Sequence, residues 1–150
     1  MMSVFVDSTT LLYTLDPTDP GKRETSVAWL KSLRRARALI LSPQVLNEAY
    51  AVVIRKPAFA PVRAGVRAHL GDYVTWTTAP LTAATLMEGW RLQDRHRIGF
   101  WDSLLLASAN AAGCAFFLSE DLNDGQTYGA VRAIDPFRHA PADVLGPALS

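Results

Sequence analysis

Short apolar runs alternate with amphipathic segments along the chain, and this alternation predicts strands and helices in turn. The predicted strands cover residues 3–6, 38–41, 73–76, 115–118 and 131–135. The predicted helices cover residues 8–15, 22–37, 42–56, 62–71, 81–97 and 101–113, and a turn cluster occupies residues 16–21. Strands that alternate with helices favour an α/β fold, in which a central parallel sheet of about four to five strands is flanked by helices.

Local signals refine the helix boundaries and the faces that the helices bury. Ser8 is the predicted N-cap of the first helix, and Ser42 followed by Pro43 marks the start of another. On the helix at 81–97, the large apolar residues Leu86, Met87 and Trp90 are predicted to face the core.

Length and composition limit the class of protein. With 150 residues, 49% of them hydrophobic, the chain is expected to form a single domain over residues 1–150. The net charge of +1 provides no global field that would attract nucleic acid. Cys114 is the only cysteine and is expected to pack as a small apolar residue. No stretch resembles a membrane span or a signal peptide, so a cytoplasmic protein without a membrane partner is expected.

Five acidic residues occupy positions that differ from those of ordinary surface acids. Asp7 directly follows the first strand, and Asp121 and Asp124 follow the strand at 115–118. Asp102 lies in the first turn of an apolar helix, and Glu48 lies on the helix at 42–56. The carboxyl ends of parallel strands share one edge of a sheet, so these side chains can converge there.

Converging carboxylates repel one another unless a cation balances their charge. Oxygen ligands without neighbouring Cys or His favour Mg²⁺ or Mn²⁺ over Zn²⁺, and such a site suits hydrolysis of phosphate esters. Each acid also has a simpler interpretation. Asp7 and Asp102 can cap or complement helix N-termini, Asp121 and Asp124 can form a loop, and Glu48 can be solvated. The spacing alone leaves both interpretations open.

Four stretches of the chain, VFVDSTTLLY, SPQVLNEAY, IGFWDSLLLASA and FLSEDLNDGQ, resemble those of PIN-domain ribonucleases, and among these the VapC toxins of VapBC toxin–antitoxin pairs. The resemblance covers nearly the whole chain. It implies the PIN-like three-layer fold and metal-dependent hydrolysis of single-stranded or loop RNA, with Mg²⁺ or Mn²⁺ as cofactor. It also implies an endoribonuclease that acts as the toxin of a type II pair, with a VapB-like antitoxin as partner and a homodimer as assembly.

The resemblance assigns roles residue by residue. Asp7, Glu48, Asp102 and Asp121 match the four catalytic acids of the family. Asp7, Asp102 and Asp121 are the implied metal ligands, Asp124 resembles an additional acid of some members, and Glu48 is expected to orient the attacking water. Ser119 matches a hydroxyl position near the metal. After the first acid the family often has Thr-Asn, whereas this chain has Ser8-Thr9, so Thr9 can hydrogen-bond near the metal but supplies no amide.

Positive side chains near the acids are candidates for RNA or antitoxin contacts. Arg95 and Arg97, just before the Asp102 helix, are the predicted pair. The three histidines lie in different segments and are expected on the surface. Trp101 is a candidate exposed aromatic because it adjoins Asp102.

Three other interpretations predict different properties. A phosphatase of the haloacid dehalogenase type also starts with a strand that ends in Asp, but it needs a second Asp where this chain has Thr9. A non-catalytic RNA- or protein-binding PIN domain usually lacks one or more of the four acids, all of which are present here. A scaffold whose acids only cap helices predicts no change in stability with metal.

Overall fold

The computed structural model of the chain describes residues 2–146. A five-stranded sheet has the strand order β2-β1-β3-β5-β4, in which β1, β2, β3 and β5 are parallel and β4 is antiparallel to β5. The strands are β1 (Val4–Val6), β2 (Leu39–Ile40), β3 (Phe116–Leu118), β4 (Thr127–Tyr128) and β5 (Val131–Ile134). The predicted α/β class with its central, mostly parallel sheet is confirmed.

Helices flank the sheet. They are α1 (Ser8–Tyr13), α2 (Pro20–Arg35), α3 (Pro43–Arg55), α4 (Val66–Gly71), α5 (Ala83–His96), α6 (Phe100–Ala111) and α7 (Ala142–Leu145). The described part of the chain contains no helix with the length and apolar character needed to cross a membrane.

The centre of the sheet forms the core because both of its faces are covered. β1 lies between β2 and β3, and all three of its residues are fully buried. Phe5 is in register with Phe117, and their rings stack with centroids 5.3 Å apart. Cys114 is buried, as predicted. This rigid centre fixes the positions of the loops that follow β1 and β3.

Two predicted elements differ from the structure. Residues 74–76, predicted as part of a strand, form a 3₁₀ turn, although Trp76 and Ala79 still pair through their backbones with Leu41 at the end of β2. The predicted helix at 62–71 is a 3₁₀ segment at Pro57–Gly65 followed by the short α4. The antiparallel strand β4 was not predicted, because two residues carry too little pattern to indicate a strand.

The prediction that Leu86, Met87 and Trp90 face the core is wrong. Met87 is 59% exposed and Trp90 50%, whereas the buried face of α5 presents Gly89 and Leu92. The reason is the close approach of α6, since a Cβ at position 89 would lie only 2.7 Å from a methyl carbon of Leu104. Gly89 therefore faces α6, and the side chains of Leu86, Met87 and Trp90 lie on the exposed side of α5.

Candidate active site

The sheet brings the ends of β1 and β3 side by side, and two of the predicted acids follow them. Asp7 comes directly after β1, and Asp121 comes three residues after the end of β3. Asp102 lies in the first turn of α6 and Glu48 in the middle of α3. The four acids are close enough to influence one another electrostatically. The negative charge of Asp121 raises the pKa of Asp7 and of Asp102, and the charge of Glu48 raises the pKa of Asp102. The four predicted acids therefore form one group, which we call the acidic site.

Asp7 is the most enclosed member of the acidic site. Its side chain is almost fully buried, and its Oδ1 accepts a hydrogen bond of 2.8 Å from the Thr10 backbone N–H. Asp7 is therefore the N-cap of α1, and the prediction that Ser8 caps this helix is wrong. Ser119, which is fully buried, hydrogen-bonds Asp7 and accepts a hydrogen bond from the backbone N–H of Asp121 at 3.1 Å. A single hydroxyl thus links two acids of the site.

Burial raises the pKa of Asp7 from 3.8 to about 7. Hydrogen bonds from Ser119 and Thr10 lower this pKa and repulsion by Asp121 raises it, but loss of solvation is the largest effect. A carboxylate that only caps a helix has no need of such burial, because exposed Asp residues cap helices equally well. The position of Asp7 therefore costs free energy that helix capping does not explain.

Asp102 is half-buried, and its pKa is raised to about 6. Burial is the largest cause, followed by the negative charges of Asp121 and Glu48. The N-terminus of α6 favours an anion at this position, but burial and repulsion outweigh that effect. Two acids of the site are therefore held in an environment that disfavours their charged forms.

The Glu48 carboxylate is held by two polar side chains. The Ser8 hydroxyl donates to its Oε2 at 2.7 Å, and the Gln44 amide donates to its Oε1 at 2.7 Å. The resemblance implied Thr9 and Ser119 as supporting hydroxyls near the metal. In the described part of the chain the hydroxyls that contact the acids belong to Ser8, Thr10 and Ser119. The spacing of four residues between Gln44 and Glu48 on a helix was the signal that could have revealed this contact.

None of the four acids has a cationic partner within residues 2–146. Other acids do have a partner. Beside the site, Glu120 pairs with Lys22 at 2.8 Å and Asp124 lies 2.8 Å from His139, and on α5 Glu88 pairs with Arg91. Sequence reasoning did not predict the Lys22–Glu120 pair, which also includes a hydrogen bond from Tyr13 to Glu120. The acidic site is therefore an uncompensated concentration of negative charge.

This donor set fits a hard divalent cation. Carboxylate oxygens are the ligands that Mg²⁺ and Mn²⁺ prefer, and an ion would remove the repulsion that raises the pKa values of Asp7 and Asp102. Among residues 2–146, no group of three or more Asp, Glu, His or Cys side chains is placed closely enough to hold a metal ion. Mg²⁺ does not require such a set, because it keeps several water ligands and usually binds through one or two carboxylates.

Asp124, predicted as a further ligand, is engaged elsewhere. Its Oδ1 accepts a hydrogen bond from the Asp135 backbone N–H at 2.9 Å, and its Oδ2 lies 2.8 Å from Nε2 of His139. The backbone hydrogen bond is the main reason that the pKa of Asp124 is lowered, and the contact with His139 adds to it. The structure therefore does not bring Asp124 into the acidic site; it ties the loop after β3 to the segment after β5.

The two predicted arginines differ in position. Arg97 lines a cavity of about 330 Å³ together with Asp102 and Asp121, whereas Arg95 is exposed on the last turn of α5 and does not line it. His96 also lines this cavity and is partly buried, so the prediction of a surface histidine is wrong at this position. Trp101 is 62% exposed, beside Asp102.

A family model described as "PIN domain" matches residues 4–124. A comparison with curated proteins found no match. Among solved structures, "Crystal Structure of FitAcB from Neisseria gonorrhoeae" is similar with a TM-score of 0.66 and 16% identity, over 91% of this chain and 99% of that chain.

Two further solved structures are similar at 13% identity and a TM-score of 0.62. "Crystal structure of VapBC2 from Rickettsia felis bound to a DNA fragment from their promoter" aligns over 89% of this chain and 98% of that chain. "Crystal structure of DNA bound VapBC from Salmonella typhimurium" aligns over 91% and 99%. At such low identity these structures show the fold alone.

Proposed function

The chain belongs to the PIN-domain family, and from this premise we propose that it is a metal-dependent endoribonuclease that hydrolyses RNA phosphodiester bonds. Proteins of this family are generally nucleases that use divalent metal ions. The observation that carries the proposal is the acidic site itself, in which Asp121 repels Asp7 and Asp102, Glu48 repels Asp102, and none of the four has a cationic partner in the described chain.

Asp7, Asp102 and Asp121 are the proposed ligands of Mg²⁺ or Mn²⁺. When bound, such an ion supplies positive charge to the phosphoryl oxygens and lowers the pKa of water. The protein keeps the ligands in place beforehand, because Ser119 holds Asp7 and the backbone of Asp121 with one hydroxyl. Enclosure of Asp7 strengthens its interaction with a cation, since the buried carboxylate has little competing solvation.

Glu48 is the proposed residue that orients the attacking water. Ser8 and Gln44 each donate to a different oxygen of its carboxylate, so its plane is fixed before substrate arrives. A fixed acceptor beside the scissile phosphate positions a water molecule and receives its proton. This reaction requires no 2′-hydroxyl, and its products carry a 3′-hydroxyl and a 5′-phosphate.

We further propose that the protein is the toxin of a type II toxin–antitoxin pair, with a VapB-like antitoxin as partner. The support is the structural similarity to the VapBC and FitAcB assemblies. A homodimer is proposed because α5 exposes Leu86, Met87 and Trp90 to solvent. Large apolar side chains gathered on one helix typically mark an interface between proteins.

The test is cleavage of a mixed RNA pool by the purified protein in EDTA, Mg²⁺ or Mn²⁺, with the variants Asp7→Asn and Asp102→Asn. Asp94→Asn, on the exposed side of α5, is the matched control for the change of carboxylate to amide. We expect metal-dependent cleavage that Asp94→Asn retains and both site variants lose while circular dichroism shows them folded. Absence of cleavage with either metal favours a non-catalytic binding domain, and cleavage that persists in EDTA and in both variants contradicts the proposed site.

A further inference from the structure

The cavity beside the acidic site contains chemistry that the proposed reaction does not use. Asp102 and Asp121 form one wall, and Arg97, His96, Asn123 and Tyr128 contribute to the rest. Its volume of about 330 Å³ is at the lower end of the range for small-ligand sites, roughly 300–1,000 Å³. The cavity therefore joins carboxylates to a cation and to two aromatic rings.

Arg97 is the one arginine or lysine among the described residues that line this cavity. Among residues 2–146 it has no carboxylate within salt-bridge distance, although two acids line the same cavity. Its guanidinium is therefore available to an anion. A guanidinium presents paired N–H donors that match the oxygens of a phosphate.

Arg97 is the C-cap of α5 and occupies a backbone conformation that favours glycine. Arg97 ends α5 in the left-handed conformation, with φ 54° and ψ 45°. Glycine adopts this conformation without strain, whereas other residues incur a cost of about 1 kcal/mol. Arg37 has the same conformation after α2, so the strain alone does not single out Arg97. What distinguishes Arg97 is its place in the wall of the cavity.

The remaining wall is suited to a nucleoside. The rings of His96 and Tyr128 pack edge to face with centroids 4.8 Å apart, and the Tyr128 hydroxyl accepts a hydrogen bond from the Asn123 backbone N–H at 3.3 Å. Tyr128 is only 1% exposed and supports the ring of His96, which is partly exposed and lines the cavity. The Asn123 side chain also lines the cavity, and its amide donates to Oε1 of Gln126 at 2.8 Å. Aromatic surfaces stack on unpaired bases, and amide groups bond to base edges.

We propose that this cavity is the subsite for the nucleotide next to the scissile phosphate, and that Arg97 binds the phosphate on the far side of that nucleotide. The proposal rests on the proposed function, because the acidic site must bind the scissile phosphate. Successive phosphates of an RNA strand are separated by one nucleoside, and the acids and Arg97 line the same cavity. A base in this cavity cannot also be stacked in a duplex, so the subsite selects an unpaired nucleotide.

The probe is a nucleoside 3′,5′-bisphosphate, tested with each of the four bases in Mg²⁺ by isothermal titration calorimetry. The matching monophosphates measure what the second phosphate adds. We expect the wild-type protein to bind the bisphosphate of at least one base more tightly than the matching monophosphate. Arg97→Gly should remove about tenfold of that affinity, the usual loss for a charged hydrogen-bonded partner, and bind both compounds alike. Because glycine suits φ 54°, this variant should fold with unchanged or higher thermal stability.

Further variants make the result specific. Arg97→Lys should restore part of the gain from the second phosphate, and Arg91→Ala on the exposed face of α5 is the control for loss of surface charge. The same titration of Arg95→Ala shows which of the two neighbouring arginines binds the second phosphate. A larger loss of bisphosphate affinity in Arg95→Ala than in Arg97→Gly overturns the proposal.

RNA cleavage separates this proposal from the proposed function. If the wild-type protein cleaves RNA and Arg97→Gly raises KM while kcat changes little, the subsite is supported. If KM of Arg97→Gly equals that of the wild-type protein, or if the variant weakens only binding of a partner protein, the subsite is wrong while the nuclease remains. If the wild-type protein neither cleaves RNA nor binds the bisphosphates, both proposals fail.

Discussion

The ammonium group of Lys22 lies 2.8 Å from a carboxylate oxygen of Glu120, the residue between Ser119 and Asp121. Tyr13 also donates to Glu120, and Lys22 lies 5.0 Å from the centroids of the Tyr13 and Phe137 rings. Lys22 is on the first turn of α2, so the contact fastens that helix to the loop that carries Asp121. It also neutralises a fifth carboxylate next to the acidic site.

Loss of this contact should weaken the site more than the fold. Lys22→Met should cost about 1 kcal/mol or less of unfolding free energy, because both partners are partly exposed. It should weaken Mn²⁺ binding about tenfold, since groups that orient metal ligands typically have effects of this size. Chemical denaturation and Mn²⁺ titration measure the two quantities. Arg91→Met, which breaks the Arg91–Glu88 pair on α5, is the matched control and should leave Mn²⁺ binding unchanged.

The support of Glu48 gives a second prediction. Ser8→Ala removes the hydroxyl that donates to Glu48 and should lower kcat for RNA cleavage about tenfold, with a small change in KM. Thr9→Ala, at the neighbouring hydroxyl, should have less effect, because the structure gives the contact with Glu48 to Ser8. Steady-state kinetics of both variants decides, and a larger loss of kcat in Thr9→Ala would show that the sequence comparison identified the correct residue.

Stability of the metal-free protein should fall as pH rises. The pKa of Asp7 is about 7 in the folded chain and 3.8 without burial, so folding favours the protonated form. Its contribution is complete below about pH 4 and is lost as pH rises through about 7, for a difference on the order of 4 kcal/mol. The raised pKa of Asp102 adds an effect of the same sign up to about pH 6.

Asp7→Asn tests this dependence. Asparagine keeps an oxygen to accept the Thr10 N–H, so the cap of α1 persists without the buried charge. Urea denaturation in EDTA should find the variant more stable than the wild-type protein at pH 8 and nearly equal to it at pH 4. Added Mg²⁺ at pH 8 should stabilise the wild-type protein only. Equal stability of the two proteins at both pH values would show that burial does not raise the pKa of Asp7.

The hairpin that carries Tyr128 offers a test of packing. Gly129 has φ +66°, and a Cβ there would lie 2.4 Å from Oδ1 of Asn110, which accepts a hydrogen bond from the Ala130 N–H. Gly129→Ala should therefore destabilise the fold by about 2 kcal/mol or more. Gly113, with φ +71° and open space around it, is the matched control, since Gly113→Ala carries only the backbone cost of about 1 kcal/mol. Thermal denaturation that ranks the two in the opposite order contradicts this account of the turn.

The sequence was sufficient to predict β1, β2, β3 and β5 and the positions of Asp7 and Asp121 after β1 and β3, because buried strands and the polar residues that follow them carry strong patterns. The outward face of α5 could not be predicted, since the hydrophobic residues Leu86 and Trp90 suggested a core face that the close approach of Gly89 to Leu104 excludes. The partner of Asp124 also escaped prediction, because His139 is fifteen residues away in the chain and becomes its neighbour only in the folded protein.

The strand predicted at 73–76 failed for a related reason. The aromatic and β-branched residues at 73–76 favour a strand. In the structure, however, the backbone pairing with Leu41 is limited to Trp76 and Ala79. Tertiary contacts, rather than local preference, determined the 3₁₀ turn there.

We expect the uncompensated carboxylates of the acidic site to bind a divalent cation. Titration of the metal-free protein with Mn²⁺, followed by electron paramagnetic resonance of the free ion, tests it without any substrate. We expect saturable binding by the wild-type protein and by Asp94→Asn, and binding at least about tenfold weaker in Asp102→Asn, which remains folded. Equal Mn²⁺ affinity in the wild-type protein and Asp102→Asn, or no saturable binding by either, would contradict the account.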